Sequence, residues 1–240
     1  MRAYILAGGL GTRLRDRIGA LPKVLAPFVE RPFLEVQLEW LAECGVNEVV
    51  LALGVRSDPV IERLRVRGAE ALPLVRWTVD PVPLGTGGAI AYSARDEKRT
   101  FLVVNGDTLA EVDLVALLEH HQRHGALATL AAFKVKDAKA RGTIEMAGDG
   151  RVTAFREKER KGEGWVNGGL FFCEPALLEM VPKGKPSSLE TEVFPRLVAE
   201  GLPLFAKRCP GKLFDIGTPE GLDQAQREWP AIRAKKEKSA

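Results

Sequence analysis

The residues best suited to chemistry fall at three places. The first is Leu6-Ala7-Gly8-Gly9-Leu10-Gly11-Thr12-Arg13-Leu14, directly after an apolar run. Glycines let a backbone approach a ligand closely, and successive amide N–H groups can then cradle phosphate oxygens. Arg13 adds a fork of donors that suits phosphate. The second is Leu21-Pro22-Lys23-Val24-Leu25-Ala26-Pro27, where two prolines stiffen a loop around one lysine. Lys23 either points its charge into a cleft or snorkels over Leu21 and Val24. The third is a pair of separated acids, Asp107 in Asn105-Gly106-Asp107 and Asp215 in Phe214-Asp215-Ile216-Gly217-Thr218-Pro219. Each sits at the end of an expected strand, where open α/β sheets place ligands. A carboxylate there can hold a hard divalent ion such as magnesium, or simply serve a turn or a cap.

Two nucleotide-binding patterns are excluded by the same residues. A P-loop requires Gly-Lys-Ser/Thr, and here Gly11 is followed by Thr12-Arg13. A dinucleotide-binding oxidoreductase needs a third glycine, where Leu14 stands, and an acid ending the second strand, which closes instead on Leu53-Gly54.

The elements that must position these residues alternate. Strands are expected at Tyr4–Ala7, Val49–Leu53, Leu74–Val79 and Phe101–Val104. Helices are expected around Phe33, Val36, Gln37, Trp40 and Leu41, from Asp58-Pro59, over Gly88–Ala94, and along Leu114, Leu117, Leu118 and His121. Apolar strands separated by helices predict an α/β fold of Rossmann-like kind, a mostly parallel mixed sheet with helices on both faces. Four further strands follow between Ala126 and Phe172, either extending the sheet or forming a lid. Ser187 with Glu190 reads as a capping box for a helix to about Val198, and Thr218-Pro219 caps a last helix. The expected organisation is one domain over 1–230, in two halves at 1–125 and 126–230, with a basic flexible tail at 231–240. The histidines His120, His121 and His124 read as solvated helix surface, and Asp80, Asp113 and Asp223 as caps or surface charges.

Composition excludes several classes. With 35 Lys and Arg against 32 Asp and Glu, the net charge of +3 gives no basic stripe for nucleic acid. Cys44, Cys173 and Cys209 are too few and scattered for a disulfide framework, which suits a reducing compartment and a cytoplasmic location. No run is apolar enough for a membrane span or patterned as a signal peptide. Nothing in the composition opposes a homo-oligomer.

The paired motifs Leu-Ala-Gly-Gly-x-Gly-Thr-Arg-Leu and Pro-Lys-x-Leu-x-Pro resemble those of the sugar-1-phosphate nucleotidyltransferases, over residues 2 to about 228. The resemblance implies an enzyme that joins a nucleoside triphosphate to a sugar 1-phosphate and releases pyrophosphate, with 1–230 as one catalytic domain, 1–125 its nucleotide-binding half and 126–230 its sugar-phosphate-binding half. It assigns the triphosphate to Leu6, Ala7, Gly8, Gly9, Gly11, Thr12 and Arg13, a phosphate contact to Lys23, and magnesium to Asp107 and Asp215. It places Gly85, Thr86, Gly87 and Gly88 beside the nucleobase. Gly142, Asn167 and Gly168 fall beside the sugar. Glu157 and Lys158, polar enough on their own to meet sugar hydroxyls and a phosphate, take those roles. The Gly-Thr-Gly-Gly form looks closest to D-glycero-α-D-manno-heptose 1-phosphate guanylyltransferases and implies GTP, with Gly87 in place of the usual alanine leaving room or a free carbonyl at the base edge. Mannose-1-phosphate guanylyltransferases match nearly as well. Glucose-1-phosphate thymidylyl- or uridylyltransferases, and a non-catalytic nucleotide-sugar sensor, are the competing expectations.

Overall fold

A computed structural model of the chain describes residues 1–9, 11–66, 73–136, 138, 142–156 and 162–237, the side chains of 235–237 excepted. Elements are numbered in chain order. Four parallel strands lie side by side in the order β5 (Leu74–Val79), β4 (Glu48–Leu53), β1 (Arg2–Leu6) and β6 (Phe101–Asn105). The inner three are apolar on both faces, as burial from both sides demands. Ala3 and Ile5 join one hydrophobic cluster while Tyr4, between them, joins the other. The first cluster receives α2 (Phe33–Glu43), α3 (Asp58–Val66), α5 (Leu114–Arg123) and α7 (Pro219–Glu237). The second receives α4 (Gly85–Ser93) and α6 (Phe194–Ala199).

The later strands extend the sheet rather than form a lid. β11 (Gly164–Cys173) runs antiparallel to β6 and carries β8 (Ala128–Val135) and β9 (Thr143–Met146), to which β12 (Leu204–Cys209) and β10 (Val152–Arg156) add. Nine strands thus form one mixed sheet. A separate two-stranded ladder pairs β7 (Thr108–Ala110) with β13 (Leu213–Asp215), setting Asp215 opposite Thr108.

Several local expectations are corrected. The capping residue of the helix before Val198 is Ser188, not Ser187: its Oγ accepts from Thr191 N, and Glu192 reaches back to Ser188 N at 3.1 Å. The first turn there, Leu189–Val193, is π-helical. The wider turn moves the reciprocal acid one residue along from the usual box. The last helix runs on past 231 to Glu237. Arg233 holds it to α2 through Glu39 at 3.0 Å and through Glu43, while Trp229 packs edge-on against Trp40. His121 is buried, bonded to Thr129 Oγ1 at 2.9 Å and Glu174 Oε1 at 3.0 Å, and His120 and His124 pack on Phe205. The histidines are therefore packing groups between α5 and the sheet. Among the described residues no helix is long and apolar enough to cross a membrane.

The short α1 (Arg15–Ile18) leads into a tight hairpin of β2 (Pro27–Phe28) and β3 (Arg31–Pro32), turned by Val29-Glu30. Val29 is exposed and has φ of 59°, a conformation a β-branched residue enters only under strain. Two-residue hairpin turns commonly place glycine at such a position. Val29→Gly should therefore raise stability by roughly 1 kcal/mol, a rise of about 2–4 °C in Tm. Calorimetry of the two proteins checks it, and an unchanged or lowered Tm counts against the strain.

Candidate active site

The glycine loop leaves β1 at the carboxyl end of the parallel strands. Ala7 N donates to Ala52 O, so the loop starts in register with β4. Gly8 then lies flat on Gly54: a Cβ on Gly8 would sit 3.3 Å from Gly54 N, and one on Gly54 would sit 2.8 Å from Gly8 O. Gly11 adopts φ of 61°, and a Cβ there would meet Lys23 Cβ at 3.3 Å. The two motifs are thus packed against each other, with Leu14 and Val24 buried beneath them. Leu10 lies outside the described residues.

Lys23 does not snorkel. Its ammonium group forms an ion pair with Asp107 Oδ2, and both side chains are largely buried. Asp107 sits in the turn between β6 and β7. Gly106 N donates to Leu6 O at 3.0 Å, and Ile216 N donates to Asp107 O at 2.9 Å, tying that turn to β1 and to the segment after β13. The same segment carries Asp215, whose Oδ1 accepts from Gly217 N at 2.8 Å. A Cβ on Gly217 would lie 2.8 Å from Asp215 Oδ1, 2.9 Å from Asp107 Oδ2 and 3.2 Å from Arg13 Nη2. Arg13, Lys23, Asp107 and Asp215, four residues spread over some two hundred positions, therefore converge beside one glycine. Two hard oxygen donors facing one point fit a magnesium ion, which commonly takes one or two carboxylates and completes its shell with waters and substrate phosphates. Among the described residues no group of three or more His, Cys, Asp or Glu side chains could hold a metal, so a closed all-protein cage is not built there.

Asp80, expected as a cap or surface charge, is a buried carboxylate at the end of β5. It is 5% exposed, and its Oδ1 has no hydrogen-bond partner among the described residues. Its Oδ2 lies 3.8 Å from where a Cβ on Gly8 would be. Burial pushes its pKa up to about 6. The rule that singled out Asp107, an acid at the carboxyl end of a strand, applies equally to Asp80. Asp113 is a cap as expected, accepting from Ala116 N, and Asp223 pairs on the surface with Arg17.

The glycine segment that opens α4 is fastened to the chain around Ser187. Gly87 N donates to Ser187 O at 2.9 Å, Ser187 N donates to Leu84 O at 2.9 Å, and Thr86 Oγ1 donates to Glu190 Oε2 at 2.7 Å. Gly85, at φ of 70°, would drive a Cβ into the Ser187 carbonyl. Gly87 would bring one to 2.6 Å from Ser187 Oγ. The expected open space at Gly87 is therefore filled, and close packing on Ser187 accounts for that glycine.

On β11, the register shifts between Asn167 and Phe171. Asn167 Oδ1 accepts from Gly169 N at 3.0 Å, Gly168 packs on the Phe133 ring, and Gly169 abuts Asn105 Nδ2 and Thr108 Oγ1. The Asn167-Gly168-Gly169 bulge is thereby set against the turn that holds Asp107. Gly142 lies beside the Arg156 carbonyl at the β9–β10 end. Glu157 and Lys158 lie outside the described residues.

The family model for nucleotidyl transferases matches residues 2–231. The chain belongs to this family. Within it, the chain is similar to mannose-1-phosphate guanyltransferase 2 of Candida glabrata, 34% identical over 226 residues, covering 92% of this chain and 62% of that protein. It is similar also to a probable mannose-1-phosphate guanylyltransferase 3 of Oryza sativa, 36% identical and covering 91% of this chain and 62% of the relative. The chain thus spans somewhat less than two thirds of the length of these nucleotidyl transferases. Among solved structures, HddC from Yersinia pseudotuberculosis in complex with GMP-PN superimposes with a TM-score of 0.84 at 30% identity, covering 95% of this chain and 99% of that one.

The burial of Asp80 has a pH signature. An acid whose pKa is raised by folding weakens the native state as pH rises from its unfolded value, near 4, through about 6, and the penalty persists above that. Asp80→Asn should melt a few degrees higher than the unsubstituted chain at pH 8, with the gap closing toward pH 4. Paired melting curves across that range check it; a gap that is constant with pH would show the carboxylate is not the cause.

Proposed function

We propose that the chain joins a nucleoside triphosphate, with GTP preferred, to a sugar 1-phosphate, giving a nucleoside-diphosphate sugar and pyrophosphate. The observation that carries this reading is the convergence of Arg13, Lys23, Asp107 and Asp215 on Gly217, at the mouth of the glycine loop. The attacking oxygen of a sugar 1-phosphate is already anionic at neutral pH, so no general base is required. Transfer of this kind rests on alignment and on compensating charge. Amides of Gly8, Gly9, Gly11 and Thr12 would serve the triphosphate, and Arg13 and Lys23 would set cations against its oxygens. Asp107 orients Lys23 and, with Asp215, would hold magnesium, in keeping with the divalent-metal assistance that family membership implies. When bound, that ion supplies charge neutralisation across the phosphates. The sugar-phosphate oxygen attacks the α-phosphorus in line, its bond forms as the bond to pyrophosphate breaks, and no protein nucleophile takes part. Gly142, Glu157, Lys158, Asn167 and Gly168 are proposed to receive the sugar phosphate. The closeness of the β11 bulge to the Asp107 turn supports that placement.

Guanine is favoured because its N1 and N2 donors need an acceptor, and Asp80 is a carboxylate beside the loop whose Oδ1 has no hydrogen-bond partner among the described residues. Adenine presents the wrong edge to it. The mannose-1-phosphate guanylyltransferases among the relatives put mannose 1-phosphate first as the sugar. The Gly85–Gly88 resemblance keeps manno-heptose 1-phosphate as the alternative.

Pyrophosphate release measured over GTP, ATP, CTP, UTP and dTTP against mannose, manno-heptose and glucose 1-phosphates tests the reading. GTP should lead, and Asp80→Asn should shrink that lead about tenfold or more, since one unmet buried hydrogen bond costs roughly 1–3 kcal/mol. A tenfold preference for dTTP or UTP would overturn the base assignment, and no release with any pair would favour a sensor. Asp107→Ala, Asp215→Ala and Lys23→Met should each lose about 10²-fold or more in turnover while still folding. Gly217→Ala should do the same without removing a charge, because its methyl would occupy the point the two acids share.

A further inference from the structure

The buried face of α2 carries one polar residue. Gln37 is wholly inaccessible to solvent among Phe33, Leu34, Leu38, Trp40 and Leu41. Its Nε2 donates twice, to Asn105 O at 3.0 Å and to Thr108 O at 2.8 Å. Those two carbonyls bracket Gly106-Asp107. The chain leaves the large sheet at Asn105 and enters the small ladder at Thr108, so these carbonyls sit where one ladder stops and the next begins. A buried carbonyl without a donor is costly, and one amide group serves both. The arrangement is not explained by core packing alone. Gln37 Oε1 is buried without a partner among the described residues, a penalty that leucine or methionine at this position would avoid. The other tethers of the turn, Gly106 N to Leu6 O and Ile216 N to Asp107 O, are main-chain bonds.

We propose that Gln37 is a positioning residue: by clamping the carbonyls on either side of Asp107 it fixes the turn that aims this carboxylate at Lys23 and Gly217. The inference rests on the assignment of Asp107 to the reaction. Gln37 touches neither substrate nor the reacting atoms; it acts through the backbone of the turn. Misplacing a catalytic group by about 1 Å costs up to roughly 10²-fold in rate, so loss of the clamp should be visible in kcat while ground-state binding at the glycine loop is left alone.

The number of donors at position 37 can be varied from two to none. Gln37→Met keeps the bulk and donates nothing; Gln37→Glu donates one hydrogen bond when protonated and none when ionised. With GTP, mannose 1-phosphate and magnesium, and turnover counted per folded molecule, Gln37→Met should lose about 10- to 100-fold in kcat with each KM within about twofold of the unsubstituted protein. Gln37→Glu should fall between the two at low pH and drop toward Gln37→Met as its carboxyl ionises, a pH dependence that a packing role alone would not produce. Amide exchange at Gly106 and Ile216 should quicken at least about tenfold in Gln37→Met while β1 and β4 stay protected. In an Asp107→Ala background the same Gln37→Met change should cost no further rate. Near-normal kcat in folded Gln37→Met, unaltered exchange at the turn, or an equal loss in both backgrounds would each overturn the clamp. Should Gln37→Met not fold, the pH profile of Gln37→Glu decides, and a flat profile overturns the clamp. A full-rate Asp107→Ala would instead remove the assignment of Asp107 on which the clamp rests.

Discussion

Two carboxylates held side by side repel each other, and the site around Gly217 is organised by how that repulsion is met. Asp107 is answered by Lys23, Asp215 by the Gly217 amide, and Arg13 approaches the same point from the glycine loop. Like charges in a partly buried site persist only where cations and fixed donors compensate them. Each compensating group comes from a different element, so the constraint reaches through the fold. It requires the loop after β1 to pack on the lysine loop, which Gly11 allows, and the β7–β13 ladder to close in one register. Under the proposed function, a triphosphate entering such a site would meet cations and loop amides already placed, with little reorganisation left for the moment of reaction.

The sheet gathers this cluster and the glycine-rich segments around it at one end. The parallel strands put the glycine loop, Gly54, Asp80 and the Asp107 turn at their carboxyl ends, where helix and strand connections leave a crevice. The antiparallel β11 brings its bulge to the same end from the opposite direction. The Gly85–Gly88 segment is secured from the later half of the chain, with Ser187 bonded to Leu84 and Gly87 and Glu190 to Thr86. The two halves thus meet at a hydrogen-bonded seam.

Much of this was legible where the signal is local. The glycine loop and the Pro-Lys motif announce themselves within thirty residues, and the apolar strands of the first half follow from unbroken hydrophobic runs. Asp107 and Asp215 could each be recognised as strand-end acids, but their meeting could not, because it depends on Thr108 pairing with Asp215 across the chain. Asp80 was passed over since its burial is a tertiary effect, the end of β5 lying beside Gly8 of the loop after β1. Gly87 was given the wrong reason: its missing side chain accommodates Ser187, which lies a hundred residues away. The histidines misled because amphipathic spacing shows where a helix face points but not that Thr129 and Glu174 wait beneath it. Ser188 displaced Ser187 as the cap because a π turn does not follow the spacing of an α-helical one.

The β7–β13 ladder also imposes an order of events on biosynthesis. A chain emerging from the ribosome can pair β1, β4 and β6 early, yet β7 must wait for a partner about a hundred residues later. Closing a loop of that length is entropically slow, and early segments fold first. Until Asp215 arrives the nascent chain has the glycine loop and one acid, but not the pair. Assembly of the charged cluster is thereby deferred until β13 has been made, and a message cut short upstream of β13 yields a polypeptide that lacks it.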